Sequence, residues 1–297
     1  MKMEKFAEMI REEMERKIPD AEVEYKVVQK NGRNLDAIIP HMPGEVASPI
    51  LYLDDAYMAY VGGMPVDAIT EQLVSFYRQA VENITPPEIE QDYGKARSML
   101  TVRLVDKSRY GESLEDIPHK DVGCGFALVA DLVTGDFRAT ITKALLEGYE
   151  GVSKKTLLED AMKNASPATL MTMLAAINNL PDNLLEEEER VVESDMYVLT
   201  NEDRYCGAAT MFYPGVLEKA ATILGENFYI LPSSRHEVLL IPESSGIEEE
   251  KLVAMVYEGN RTVTEPNDVL SDQVLHYRSD GKLTKVKAKG DKTLLAS

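Results

Sequence analysis

The chain has 297 residues, of which 44% are hydrophobic and 28% charged, with a net charge of −19 and an isoelectric point near 4.7. These are ordinary globular values for a chain long enough for roughly two domains of about 150 residues each, and they argue against extended disorder. The acidic balance argues against nucleic acid as a partner, because that binding rests on Lys and Arg displacing counterions from phosphates, and it reads first as solubility.

Two cysteines, Cys124 and Cys206, cannot build a disulfide framework and fit a reducing compartment. The N-terminal run MKMEKFAEMIREEMERK is charged throughout and lacks the apolar core of a signal peptide. The longest uncharged stretch, 164–181, has an apolar part (170–177) too short to cross a bilayer, which needs roughly 20 residues. A cytoplasmic protein with no membrane contact is expected.

In chain order, Phe6, Met9, Ile10 and Met14 form one stripe at helical spacing. Val23, Tyr25 and Val27 then alternate with polar neighbours, as in a strand with one wet face. Asn31-Gly32 is a strong hairpin signal, since both turn positions accept positive φ, and the return strand covers 34–39. A strand over 49–53 leads into a short helix that begins at Asp54-Asp55, where negative charge suits the helix dipole, and ends near Gly62 and Gly63. A helix over 66–84 is expected to bury Ile69, Leu73, Phe76, Tyr77 and Ala80, and Pro86-Pro87 ends it.

The next block reads as strands over 99–105, 122–132 and 137–141, with a turn at Thr134-Gly135. Ser153 caps a helix that buries Leu157, Leu158, Ala161 and Met162, and a further helix is expected over 168–177. The acidic run 186–189 reads as a solvated surface. In the last block a strand begins near Met196. Pro214 at a first helical position and Gly225 past the end bracket a helix with Val216, Leu217, Ala220, Ala221 and Leu224 inside. Strands over 228–231 and 237–241 flank Pro232-Ser233-Ser234, and Leu252, Val253 and Val256 line the final helix. From Arg278 the tail holds six basic residues against two acidic ones and reads as a lysine-guarded strand and a frayed end. The pattern is an α+β fold with mixed or antiparallel sheets and amphipathic helices on one face. It divides into two to three consecutive blocks: 1–95, 96–185 and 186–297.

The segments MYVLTN, YPGVLEKAATILG, FYILPSSRHEVLLIP and LSDQV, with looser support from SPILYLDDAYMAY and VSKKTLLEDAMKN, resemble a family of unknown function from Firmicutes, common in gut Clostridia. Element order is more distantly similar to the YtpQ-type proteins of bacilli. The resemblance implies a cytosolic bacterial protein with a mixed α/β fold, and it transfers no catalytic residue.

Few constellations could carry chemistry. Ser233, Ser234, His236 and Glu237 are neighbours on one hairpin, whereas a triad is assembled across a fold, so the serines read as turn hydrogen-bonders. Cys206 could pair with His236, with Asp272 or Glu237 orienting the ring, although an isolated cysteine is more often a buried hydrophobe. Gly123-Cys124-Gly125, inside a strand-like run, is not a phosphate loop, and His41, His119, His236 and His276 lack ligand spacing. No cofactor or metal is therefore expected. What remains is a polar surface on loops at the ends of strands, made of Asn201, Arg204, Tyr205, Ser233, Ser234, Arg235 and His236. The leading expectation is a non-enzymatic protein that binds a protein, peptide or small molecule there. The alternative is a hydrolase using Cys206 or Ser234 with His236.

Overall fold

The computed structural model describes residues 2–30, 33–42, 48–83, 89–134, 137–180, 182–186, 194–232, 234–265 and 267–286. It is an α+β fold in two compact units, Met1–Glu88 and Ile89–Ser297.

In the first unit, α1 (Met3–Lys17) turns Phe6, Ala7, Ile10 and Met14 inward. Strands β1 (Glu22–Lys30) and β2 (Arg33–His41) pair antiparallel with Lys30 opposite Arg33, and the expected Asn31-Gly32 turn lies outside the described residues. The third strand is shorter than expected: β3 (Leu51–Tyr52) adds to the free side of β2. Helices α2 (Asp54–Val61) and α3 (Val66–Asn83) follow, and Ile69, Val74 and Tyr77 close the core over Val23, Ile38, Leu51 and Leu53. Phe76 is not buried as expected; it is 58% exposed. The buried arc of α3 centres on Thr70, Val74 and Tyr77, and Phe76 stands one residue from Tyr77, about 100° around the helix.

The second unit opens with α4 (Tyr93–Ala96) and a four-stranded antiparallel sheet: β4 (Leu100–Asp106), β5 (His119–Gly123), β6 (Phe126–Thr134) and β7 (Phe137–Thr140). The short α5 (Lys107–Tyr110) follows β4. Strand β6 is central, with β4 on one side and β5 and β7 along the other. The run expected as one strand over 122–132 is broken by a hairpin turn, where Gly123, Cys124 and Gly125 have φ of 90°, 49° and 77°. Glycine at both flanks makes three successive left-handed residues affordable. Helices α6 (Lys143–Gly148) and α7 (Lys154–Lys163) come next, and the Ser153 side chain accepts from the Thr156 N–H to cap α7.

Residues 168–177 are not one helix. They form β8 (Ala168–Thr172) and the short α8 (Met173–Ile177), with Thr172 capping the turn. Pairing of β8 with β9 (Tyr197–Asn201) overrides the helical pattern. Asn183 covers the other edge of β8 by accepting from the Leu170 N–H. The six-stranded antiparallel sheet runs in the order β13-β12-β10-β11-β9-β8, adding β10 (Phe228–Leu231), β11 (Val238–Pro242), β12 (Leu275–Tyr277) and β13 (Leu283–Lys285). Helix α9 (Val216–Leu224) begins two residues after Pro214, because Gly215 at φ 78° takes the N-cap. Helix α10 (Glu249–Thr262) completes the unit.

One face of the six-stranded sheet (Leu170, Leu199, Ile230, Leu240, Leu275) meets Val102, Leu104, Phe126 and Leu128 of the four-stranded sheet in the largest core. Its other face is covered by α10 through Leu252 and Val256, and by α8 through Ala175. The remainder of the four-stranded sheet lies under α7, with Leu157, Leu158 and Ala161 against Leu100, Ala130 and Leu132. A buried carboxylate ties the sheets together: Asp106 accepts from Ser108 N and from the side chains of Ser271 and Gln273. Among the described residues, no helix is long and apolar enough to cross a membrane.

Candidate functional site

The loops after β9 and before β11 lie side by side. Thr200 Oγ1 donates to the His236 carbonyl at 2.7 Å, and the Ala208 N–H donates to the Arg235 carbonyl at 3.2 Å. Gly207 lets the segments approach this closely: a Cβ there would meet Thr200 Oγ1 and lie 2.6 Å from both Asn201 N and the His236 carbonyl oxygen. Among the residues singled out by sequence, Tyr205, Arg235 and His236 come together, with the Tyr205 and His236 rings 4.9 Å apart. Asn201 is buried and spans the loop, accepting from the Tyr205 N–H and donating to its carbonyl. Arg204 points elsewhere, to Asn179 and to Met171 Sδ at 3.7 Å. Ser234 Oγ accepts from the His236 N–H, so it stabilises a turn. Ser233 lies outside the described residues. Sequence reasoning missed two members of this cluster. Arg138 stacks over Tyr205 at 4.1 Å, and Asp268 accepts from Arg235 Nε at 2.8 Å.

The Cys206–His236 contact is made by the wrong atom for thiol chemistry. The backbone N–H of Cys206 donates to His236 Nδ1 at 3.3 Å. The ring proton therefore belongs on Nε2, which meets Asp268 Oδ1 at 3.2 Å. Asp268 serves both His236 and Arg235, whose facing nitrogens lie 3.3 Å apart and need that shared acceptor. Cys206 is 3% exposed, and burial pushes its thiol pKa up against a smaller downward pull from Arg103. A nucleophile needs the opposite on both counts.

A cavity of about 880 Å³ lies against the four-stranded sheet, between the β5 edge and α7. Its floor is apolar, made by Val102, Leu128, Leu158 and Met162. Its mouth is basic. Lys120 stands opposite Leu128 in the β5–β6 register, so it shares the face that looks toward α7, and Lys154, Lys155 and Lys163 project from that helix. The carboxylates at the cavity are already served by lysines. Lys107 donates to Asp121 at 2.9 Å and holds its carboxyl below the usual range, with smaller pulls from His119 and Lys154. Glu159 faces Lys155 at 3.9 Å, and Lys163 pairs with Asp160 at 3.0 Å. Lys120 and Lys154 have no ion-pair partner within 4 Å among the described residues. His119 Nδ1–H donates to the Ile117 carbonyl at 2.9 Å, which leaves Nε2 as an acceptor. The arrangement suits a ligand with an apolar body and an anionic end.

A family model described as a family of unknown function, DUF5688, matches residues 3–279. The chain belongs to that family. Comparison with curated proteins and with solved structures gave no match. The resemblance read from the last block is thus met at the level of a family of unknown function, and membership in DUF5688 assigns no residue a role. In sequence, the cavity residues had left no signal beyond a capped amphipathic helix and a basic residue on a short strand. Among the described residues, no group of three or more His, Cys, Asp and Glu is placed to hold a metal ion.

Proposed function

We propose that this protein is a cytosolic bacterial binding protein whose ligand, a small amphipathic anion, occupies the cavity between β5 and α7. The observation that carries the reading is the charge at the mouth. In a chain of net charge −19, four lysines gather at one apolar cavity, and among the described residues Lys120 and Lys154 have no carboxylate within 4 Å. Stray basic residues on an acidic protein are usually neutralised by nearby carboxylates; these border a volume within the usual range of ligand pockets, about 300–1,000 Å³. The floor supplies affinity at roughly 25 cal/mol per Å² of apolar ligand surface removed from water. The lysines supply selectivity, since charge-assisted bonds to an anion are stronger than neutral ones.

The hydrolase reading has less support. His236 offers Nδ1 to a backbone N–H and Nε2 to Asp268, so neither nitrogen is left to accept a proton from Cys206 or Ser234.

An NMR titration with decanoate tests the proposal. Shifts confined to residues 119–121, 128 and 154–163 are expected, and decyltrimethylammonium should leave those signals in place. Shifts spread over the surface, or equal for the two amphiphiles, would count against an anion site there.

A further inference from the structure

A second recess, lined by other residues than the basic cavity and opposite to it in charge, lies at the edge of the six-stranded sheet. About 410 Å³ in volume, it opens beside β8 between the loop over 182–186 and the residues that follow β9. Among the described residues it is lined by the carboxylates Glu186 and Glu202, by Asp182, which already has a partner, and by one cation, Arg204, whose guanidinium is engaged by Asn179 and Met171. The second observation is independent of this charge. Thr169 lines the same recess and is only 7% exposed, and its buried hydroxyl has no hydrogen-bond partner among the described residues. Buried polar groups are nearly always paired, so an orphan hydroxyl in the wall of an open recess marks a place for a donor from outside. Every group in this set can accept, and an ammonium or guanidinium can only donate.

The surroundings name the rest of the ligand. Helix α8 leads from β8 toward the recess. Leu174 and Ile177 on it are 70% and 74% exposed, and Leu180, in the wall of the recess, is 51% exposed. Their spacing of three residues keeps Leu174 and Ile177 on one side of the helix. Aliphatic side chains so placed beside an acidic recess fit a segment that carries both a cation and apolar residues. We infer that this face docks a basic, leucine-bearing segment of a partner protein, with a Lys or Arg side chain entering the recess toward Thr169 and the carboxylates. Asn201 and Arg204, drawn from the polar surface expected in the sequence, belong to this recess, while Tyr205 and His236 do not line it.

The test is fluorescence anisotropy of a labelled peptide of alternating lysine and leucine with the full chain. The variant Glu186→Gln/Glu202→Gln should weaken binding about tenfold, the loss of one to two charge-assisted contacts. A reference variant, Glu8→Gln/Glu12→Gln on α1, removes the same charge elsewhere and should bind as the native protein does. Thr169→Val should also weaken binding, with a melting temperature unchanged or higher, because it removes a hydroxyl that has no partner among the described residues. A peptide with glutamate in place of lysine should not bind. Equal weakening by the site and reference variants would reduce the attraction to overall charge and overturn the inference. So would equal binding of the glutamate peptide.

Discussion

At the scale of single residues, Cys206 decides between a thiol enzyme and a structural cysteine. It is buried, its pKa is raised by that burial, and its backbone rather than its sulfur reaches His236. We expect alkylation of Cys206 in the folded protein at pH 7.5 to be slower than that of Cys124, which is partly exposed, and to accelerate on unfolding. Rapid alkylation of Cys206 that His236→Ala abolishes would restore the hydrolase. Gly207→Ala is expected to cost about 3 kcal/mol in chemical denaturation, since its Cβ would strike backbone atoms of two segments that cannot both move away. Asp160 gives the pH dependence. Lys163 holds its carboxyl below the ordinary range, helped by the Tyr93 hydroxyl and Arg97 and opposed by burial. A carboxyl with a depressed native pKa stabilises the fold above its unfolded value, and that share is lost as pH falls through the native value. Asp160→Asn should therefore cost about 1–3 kcal/mol at pH 7, with the difference from the native protein shrinking below about pH 4. Of these residues, the sequence singled out Cys206 and His236. The partners that set their behaviour, Asp268 and Arg138, lie 32 and 98 positions from His236, and no local pattern links them.

Elements were legible where their own chemistry fixed them and illegible where pairing did. The helix after Ser153 could be read from its cap and its Leu157, Leu158 and Ala161 stripe. Ser153→Ala should lower stability by about 1 kcal/mol in urea unfolding, since Thr156 N–H loses its acceptor. A loss under a few tenths would show that tertiary contacts alone hold α7. The other stripe of that helix, Lys155, Glu159 and Met162, looks like any wet face until β5 is set beside it. Residues 168–177 misled for the same reason: Leu170 and Met171 suit a helix or a strand, and only β9, some 25 residues later, selects the strand. The break at Cys124 was hidden because its flanking glycines read as weak points in a strand, although together they permit a turn.

At the scale of the whole molecule, the α+β class followed from periodicity, but the strand order of the large sheet could not, because β10 lies between β11 and β12 and β8 joins from before the acidic run. The same long-range assembly makes both proposed surfaces. Against a net charge of −19, the fold gathers lysines at one cavity and carboxylates at another recess, which separates sites for ligands of opposite sign. The central claim is that the basic cavity holds an amphipathic anion, and isothermal titration of decanoate into the native protein and into Lys120→Met/Lys154→Met tests it most directly. We predict one site in the native protein, affinity about tenfold weaker in the variant, and a gap between the two that narrows as salt rises. Equal affinity in the two proteins, or no binding to the native one, would contradict the account.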